Sequence, residues 1–338
     1  MGSRFRTGLG ALAAGLQLAS TSAQPFQLPT ANRAIFEPGG EERFFVPTVG
    51  KTWESGTFGA VRSNGYQFHE GLDIRCLQRD RRGEPTDPVM ASASGTVAYI
   101  NANAALSNYG KYVILRHNIE GLDVYTLYAH LSEVRAGLRP GSPVQAGEPI
   151  AVMGRTANTR EGISKERAHV HFEIDLLLNS RFADWYRKFQ PGLRNDHGGW
   201  NGQNLRGLDP RLILLAQQRE GAAFSLLAFI KDQTELCRVQ VRDTDFEWLR
   251  RYPQLTVRNL VAEKEGVAGY ELVLNYVGVP IRVIPRAASE LKSKARFYLV
   301  SVNAAEQQKN PCCKLVTQRR GRWELANNGQ KLLSLLTY

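Results

Sequence analysis

Four of the six histidines in this chain, together with one aspartate, fall at spacings that narrow its fold more than any compositional figure does. His69 and Asp73 stand four apart in Phe68-His69-Glu70-Gly71-Leu72-Asp73-Ile74, and His130 sits in Leu127-Tyr128-Ala129-His130-Leu131. His169 and His171 form a His-x-His inside Ala168-His169-Val170-His171-Phe172-Glu173. Alternate residues of a strand face one side, so an extended, apolar-flanked run projects His169 and His171 together. With the His-x-x-x-Asp pair, the set offers two imidazoles and one carboxylate to a metal ion. Two further imidazoles remain to act at its open position, which is the ligand pattern of a catalytic zinc. A lone histidine is more often a core or surface residue, and a lone His-x-x-x-Asp is a weaker signal than a His-x-His. Between the motifs lie short apolar runs broken by glycine turns, around residues 88–97, 108–113 and 144–156, which describe a compact β framework.

In this order the motifs resemble those of the lysostaphin-type (LytM-domain) zinc metallopeptidases, whose fold is also called the duplicated hybrid motif. The resemblance spans residues 45–214, about half the chain. It implies a mainly β protein with an antiparallel catalytic domain over residues 45–215, holding one Zn2+ per chain. By the same resemblance His69, Asp73 and His171 are the zinc ligands, while His130 and His169 are unliganded catalytic histidines acting on the water and the oxyanion. Glu173, two positions after His171, either shares that face or fixes a ligand imidazole. Two positions depart from the family pattern: Ala157 follows Thr156 where glycine is usual, and Ala168 stands where proline usually precedes the His-x-His. The charged stretch 158–167 between them is expected as a loop beside the metal.

The implied substrate is the peptide part of peptidoglycan, cut as an endopeptidase at D-alanyl–diaminopimelate links or at glycine bridges. A different class of function is a non-enzymatic wall-binding or amidase-activating module, a type that usually lacks one or more ligands. A zinc peptidase acting on proteins is a third reading.

Arg4 and Arg6 precede a small-residue apolar stretch, and Thr21-Ser22-Ala23 offers a cleavage site, so residues 1–23 are expected to be a secretory signal peptide. The stretch is too short for a membrane span and is broken by Gln17. The expected destination is secreted or periplasmic. A formal net charge of +11 fits an anionic neighbourhood such as cell-wall polymer, or equally a solvated surface, and no nucleic-acid-binding motif accompanies it.

Residues 24–44 carry Pro25, Pro29 and Pro38 and are expected as an extended approach to the domain, 143–153 as a tight hairpin-like unit, and 184–209 as a loop-rich segment. His117 is expected to be structural and His197 to lie on an exposed loop. Beyond position 216 the catalytic motifs stop. There, alternation at Cys237-Val239-Val241 and at Tyr270-Leu272-Leu274, a strand over 297–302 and helices over 246–252 and 328–336 suggest a separately folded α+β accessory domain of unknown function. Cys76 is expected as a buried thiol. A disulfide between adjacent Cys312 and Cys313 is strained, because neighbouring Cα atoms are only about 3.8 Å apart. Cys237 pairing with one of them is expected instead.

Overall fold

The computed structural model describes residues 25–62, 67–159 and 162–338, so the expected signal peptide lies outside the described residues. No helix among them is long and apolar enough to cross a membrane.

The fold is mainly β with antiparallel sheets. Twelve strands come first: β1 (Val61–Arg62), β2 (Gln67–Phe68), β3 (Leu72–Arg75), β4 (Pro88–Met90), β5 (Gly95–Asn101), β6 (Lys111–Ile119), β7 (Leu122–Leu131), β8 (Glu133–Val134), β9 (Pro143–Val144), β10 (Pro149–Val152), β11 (His169–Leu177) and β12 (Leu205–Leu208). Six of them run in the order β12-β11-β7-β6-β5-β9, and β3 also pairs with β11. The hairpin β6–β7 turns on Glu120 and Gly121, both with positive φ (53° and 79°), the backbone that a two-residue connection between twisted strands needs.

β11 organises the sheet. One of its edges is covered by β7, and the other is shared end to end by β3, opposite residues 169–172, and β12, opposite 174–177. All nine of its residues are buried. Val170, Phe172, Ile174 and Leu176 enter the main core. The alternate set His169, His171, Glu173 and Asp175 occupies the opposite face, which a smaller aromatic layer of Tyr112, Tyr125, Tyr109 and Trp200 covers.

The second half adds β13 (Cys237–Val241), β14 (Gly269–Leu274), β15 (Pro280–Arg286) and β16 (Phe297–Val302), in the order β15-β14-β13-β16. The helices Glu247–Arg251 and Asn327–Leu336 flank them. The helix Pro210–Glu220 runs through position 216 without a linker, and a single hydrophobic cluster extends from Phe26 to Leu336. Hydrogen bonds stitch the halves together: the Tyr252 hydroxyl accepts from Leu177 N at 2.9 Å and donates to the Asp123 carbonyl at 3.1 Å, and Asn179 donates to the Leu335 carbonyl at 2.9 Å. The C-terminal half is therefore not a body standing apart.

Other local expectations are corrected. Residues 25–44 do not simply extend. They form a short 3-10 turn at Ala34–Phe36 and a helix at Glu41–Phe44, and they insert Phe26 and Phe44 into the core. Gln217 fixes their start by donating to the Phe26 carbonyl (2.6 Å) and accepting from its N–H (2.9 Å). The 143–153 segment is no hairpin, because β9 pairs with β5 while β10 pairs with β4 and β8 in a separate three-stranded sheet. The 184–209 segment contains the end of the helix Phe182–Phe189 and all of β12. The four cysteines are free thiols: Cys237 opens β13 with its side chain fully inside the core, whereas Cys312 and Cys313 follow Pro311 on the wall of a cavity.

Candidate metal centre

Strand register brings the motifs together. Asp73 on β3 lies directly opposite His171 on β11, and Ala129, which precedes His130, lies opposite His171 from β7. Directly opposed residues share a face, so the Asp73 carboxylate and the His171 imidazole meet on the polar side of the sheet. His69 sits just before β3, and its Nε2 lies 3.0 Å from Asp73 Oδ1 and 3.0 Å from His171 Nδ1. His171 Nδ1 is likewise 3.0 Å from Asp73 Oδ1. The three buried residues present ligand atoms within 4.8 Å of one another.

The outer nitrogens decide what these inner ones can be. His69 Nδ1 donates to the Thr57 carbonyl at 2.7 Å, and His171 Nε2 donates to Glu173 Oε1 at 2.6 Å. In neutral rings, that leaves the lone pairs of His69 Nε2 and His171 Nδ1 facing each other and a carboxylate oxygen. Three such acceptors buried together repel unless a cation lies between them. Asp73 divides its oxygens, with Oδ2 held by Arg62 at 2.7 Å and Oδ1 turned to the centre. Two imidazoles and a carboxylate oriented from behind in this way fit a zinc ion.

Without an ion, such a centre draws a proton instead. Burial opposes a charge on His171, yet hydrogen bonds with Asp73 and Glu173 outweigh it and push the imidazole up to about 10, so a metal bound there displaces that proton. Burial also opposes ionisation of Asp73, but the imidazoles of His69 and His169 hold it well below the usual carboxylate range. Behind them, burial and the Glu173 charge push Asp175 well above that range, which favours its neutral form.

His130 and His169 complete the cluster, with ring centroids 4.8 Å apart. His130 Nδ1 donates to the Thr156 carbonyl at 2.9 Å, and His169 Nδ1 donates to the Arg167 carbonyl at 2.6 Å. Burial and the neighbouring His169 and His171 hold His130 well below the ordinary histidine value, so it is neutral near pH 7. Its backbone is left-handed (φ 61°), a conformation a non-glycine residue adopts at some cost and only where its surroundings enforce it. Thr156 is part of that enforcement: its hydroxyl accepts from Lys111 N and donates to the Leu131 carbonyl, both at 2.9 Å. A Cβ on Gly110 (φ 62°) would meet the Thr156 carbonyl oxygen at 2.2 Å. Gly110→Ala is therefore expected to destabilise the protein by about 1–3 kcal/mol, seen as a lower thermal midpoint, and to disturb His130 through its acceptor.

All five residues singled out by the sequence motifs meet here. Motifs did not disclose Arg62, the Thr57 and Thr156 carbonyls, or Tyr109, whose ring packs 5.4 Å from that of His171. The Asn108-Tyr109-Gly110 turn was visible, but nothing in it distinguished a tyrosine of the site from one of the core. His117 is structural, buried between the Ser94 carbonyl (2.9 Å) and the Thr126 hydroxyl (2.7 Å). His197 is half-buried, not an exposed loop residue, because its ring is held by the Tyr99 hydroxyl (3.1 Å) and the Leu106 carbonyl (3.0 Å).

A family model described as peptidase family M23 matches residues 67–182, the segment that carries all five residues. The lipoprotein NlpD of Yersinia enterocolitica is 37% identical over 95 residues, covering 28% of this chain and 84% of that one. The murein hydrolase activator NlpD of Escherichia coli (strain K12) is 36% identical over 128 residues, covering 38% of this chain and 27% of that protein. This chain thus spans about a quarter of the length of the Escherichia coli relative. Among solved structures, the catalytic domain of the antimicrobial peptidase lysostaphin from Staphylococcus simulans is similar at 19% identity and a TM-score of 0.28, covering 51% of this chain and 88% of that one.

Proposed function

From its place in peptidase family M23, to which the chain belongs, we propose that it is a zinc-dependent endopeptidase of the cell envelope that hydrolyses peptide bonds in peptidoglycan stem peptides or cross-links. The observation that carries this reading is the convergence of two imidazole lone pairs and one carboxylate oxygen, each oriented by an outer hydrogen bond, beside two further imidazoles. His69, Asp73 and His171 would hold the zinc. The ion supplies Lewis acidity toward a peptide carbonyl and acidifies a water molecule at neutral pH.

The chain's own residues do the rest. With Nδ1 of His130 and of His169 tied to carbonyls, Nε2 of each is the ring atom left to take a proton from the attacking water or, once protonated, to hydrogen-bond the oxygen that gains charge, and that of His169 lies 3.4 Å from Asp73 Oδ1. His130, held neutral by burial, presents an unprotonated nitrogen near neutral pH. Arg62 and Glu173 act by fixing Asp73 and His171 in place. His130→Ala and His169→Ala are expected to retain zinc while losing about 10²–10⁴ in turnover, as metal analysis beside a peptide-release assay would show. Loss of zinc in either variant would move that histidine into the ligand set.

A second reading is favoured by the name of the Escherichia coli relative: the chain would activate a murein hydrolase and cleave nothing itself. Digesting purified peptidoglycan with the protein, with and without chelator, separates the two. New amino termini that vanish with chelator support the peptidase, whereas no release alone but enhanced release by an added amidase supports the activator. An envelope location fits the lipoprotein relative, and the +11 charge fits an anionic wall.

A further inference from the structure

Three guanidinium groups gather on one rim of the metal centre. Arg62 donates to Asp73 Oδ2 at 2.7 Å and, through Nε, to the Ser55 carbonyl at 3.0 Å. Arg75 ends β3 directly opposite His169 on β11. It lies two residues after Asp73, so the pleat turns its side chain to the face that carries the metal ligands. From there its Nη2 donates to the Phe45 carbonyl at 3.0 Å. Arg167 arrives from the loop before β11. Its own carbonyl accepts from His169 Nδ1, while its Nε donates to the Pro47 carbonyl at 3.1 Å. Val46, between those two acceptors, donates its N–H to the Asp73 carbonyl at 2.9 Å. The head groups of Arg75 and Arg167 are thus anchored on alternate residues of one segment, whose Cα atoms can be no more than about 7 Å apart, alongside a metal ligand. Thr48 N–H donates to Ser55 Oγ at 2.8 Å, which ties the Arg62 anchor to the same segment.

Against these three cations the rim sets one carboxylate, Asp73, which Arg62 already holds and whose other oxygen faces the metal position. Among the described residues neither Arg75 nor Arg167 forms an ion pair. Each spends one of its five N–H groups on a neutral carbonyl, and Arg75 Nε is buried without a partner. Acidic side chains near them in the chain are engaged elsewhere: Glu166 is exposed and accepts from the Ser164 side chain, and Glu41 pairs with Arg211. Both arginines are half-buried, so a ligand can reach them. A guanidinium with donors to spare matches a planar carboxylate better than any neutral group, because its fork can hold both oxygens at once. We infer that Arg75 and Arg167 form a substrate subsite beside His169 that takes a carboxylate of an acidic peptide. This assignment rests on the proposed function for the identity of the peptide. An amidated peptide offers the same donors only neutral oxygens, so the subsite selects by charge close to the scissile bond.

The test is calorimetric binding to the full chain kept metal-free with chelator, so that neither turnover nor ligation of the ion by a carboxylate contributes. The probes are the pentapeptide Ala-γ-D-Glu-Lys-D-Ala-D-Ala with its carboxylates free and the same peptide with both amidated. The free acid is expected to bind at least tenfold more tightly than the amide. Arg75→Met and Arg167→Met are each expected to abolish most of that preference, and Arg167→Lys to keep part of it. Arg167 lies outside the strands, so its variants keep the test decisive should Arg75→Met fail to fold, which circular dichroism would reveal. Equal binding of acid and amide by the unaltered chain, or a preference that survives in Arg167→Met and in a folded Arg75→Met, overturns the subsite. A chain that binds the acid selectively but cleaves no wall peptide keeps the subsite and refutes the peptidase, and cleavage without selectivity does the reverse.

Discussion

His171→Ala is expected to lose metal and turnover together. Three ligands are the minimum set for a catalytic zinc, and removing one leaves Asp73 and His69 without the partner that closes the cluster. Loss of the ion removes several kcal/mol of charge stabilisation, and each 1.36 kcal/mol is tenfold in rate, so turnover should fall by about 10⁴ or more. The substitution also strands Glu173, whose Oε1 lies 2.6 Å from His171 Nε2, inside a fully buried strand. A lower thermal midpoint should therefore accompany the loss, and circular dichroism distinguishes a folded, metal-free variant from an unfolded one. A folded His171→Ala protein with full zinc occupancy by elemental analysis would contradict the ligand assignment.

A chain ending at Glu220 is expected to be unfolded or insoluble. The cut removes Trp248, Tyr252, Leu333 and Leu336, which are fully buried in the cluster that also holds Phe172 and Leu176 of β11. Each such side chain contributes about 1.5–3 kcal/mol, while a whole domain is stable by only about 5–15 kcal/mol. The cut also deprives Leu177 N, Asn179 and Trp185 of buried or half-buried hydrogen-bond partners. Light scattering and circular dichroism of the shortened chain would check this. A soluble, cooperatively melting, zinc-binding product would show that the first half closes its core unaided.

The metal cluster was legible in the sequence because its signal lies in residue type and spacing. A histidine at i and i+2 on a strand, or four before an aspartate, constrains geometry before any tertiary contact is known. Strands with regular alternation were legible for the same reason: β13 and β16 carry the bounds expected of them. Positions fixed by backbone atoms were not legible. The carbonyls of Thr57, Thr156 and Arg167, which set the tautomers of three histidines, have no residue signature. Nor was the union of the two halves, because the apolar faces of the helix Asn327–Leu336 and of β13 look alike whether they close a private core or a shared one. The 143–153 segment failed differently. Its turn was recognised, but strands adjoining one turn can leave for different sheets.

The shared edge of β11 also acts as a ruler. His171 faces Asp73 on β3, and Leu176 faces Arg206 on β12, five residues further along one strand. At about 3.3–3.4 Å per residue, the backbone offset between the two positions is roughly 17 Å, and the odd count turns Arg206 to the Leu176 side of the sheet, away from His171. The C-terminal residues Trp248, Leu333 and Leu336 belong to the same core as Leu176. They therefore bear on the metal centre through the strand itself, as a splint laid along its back.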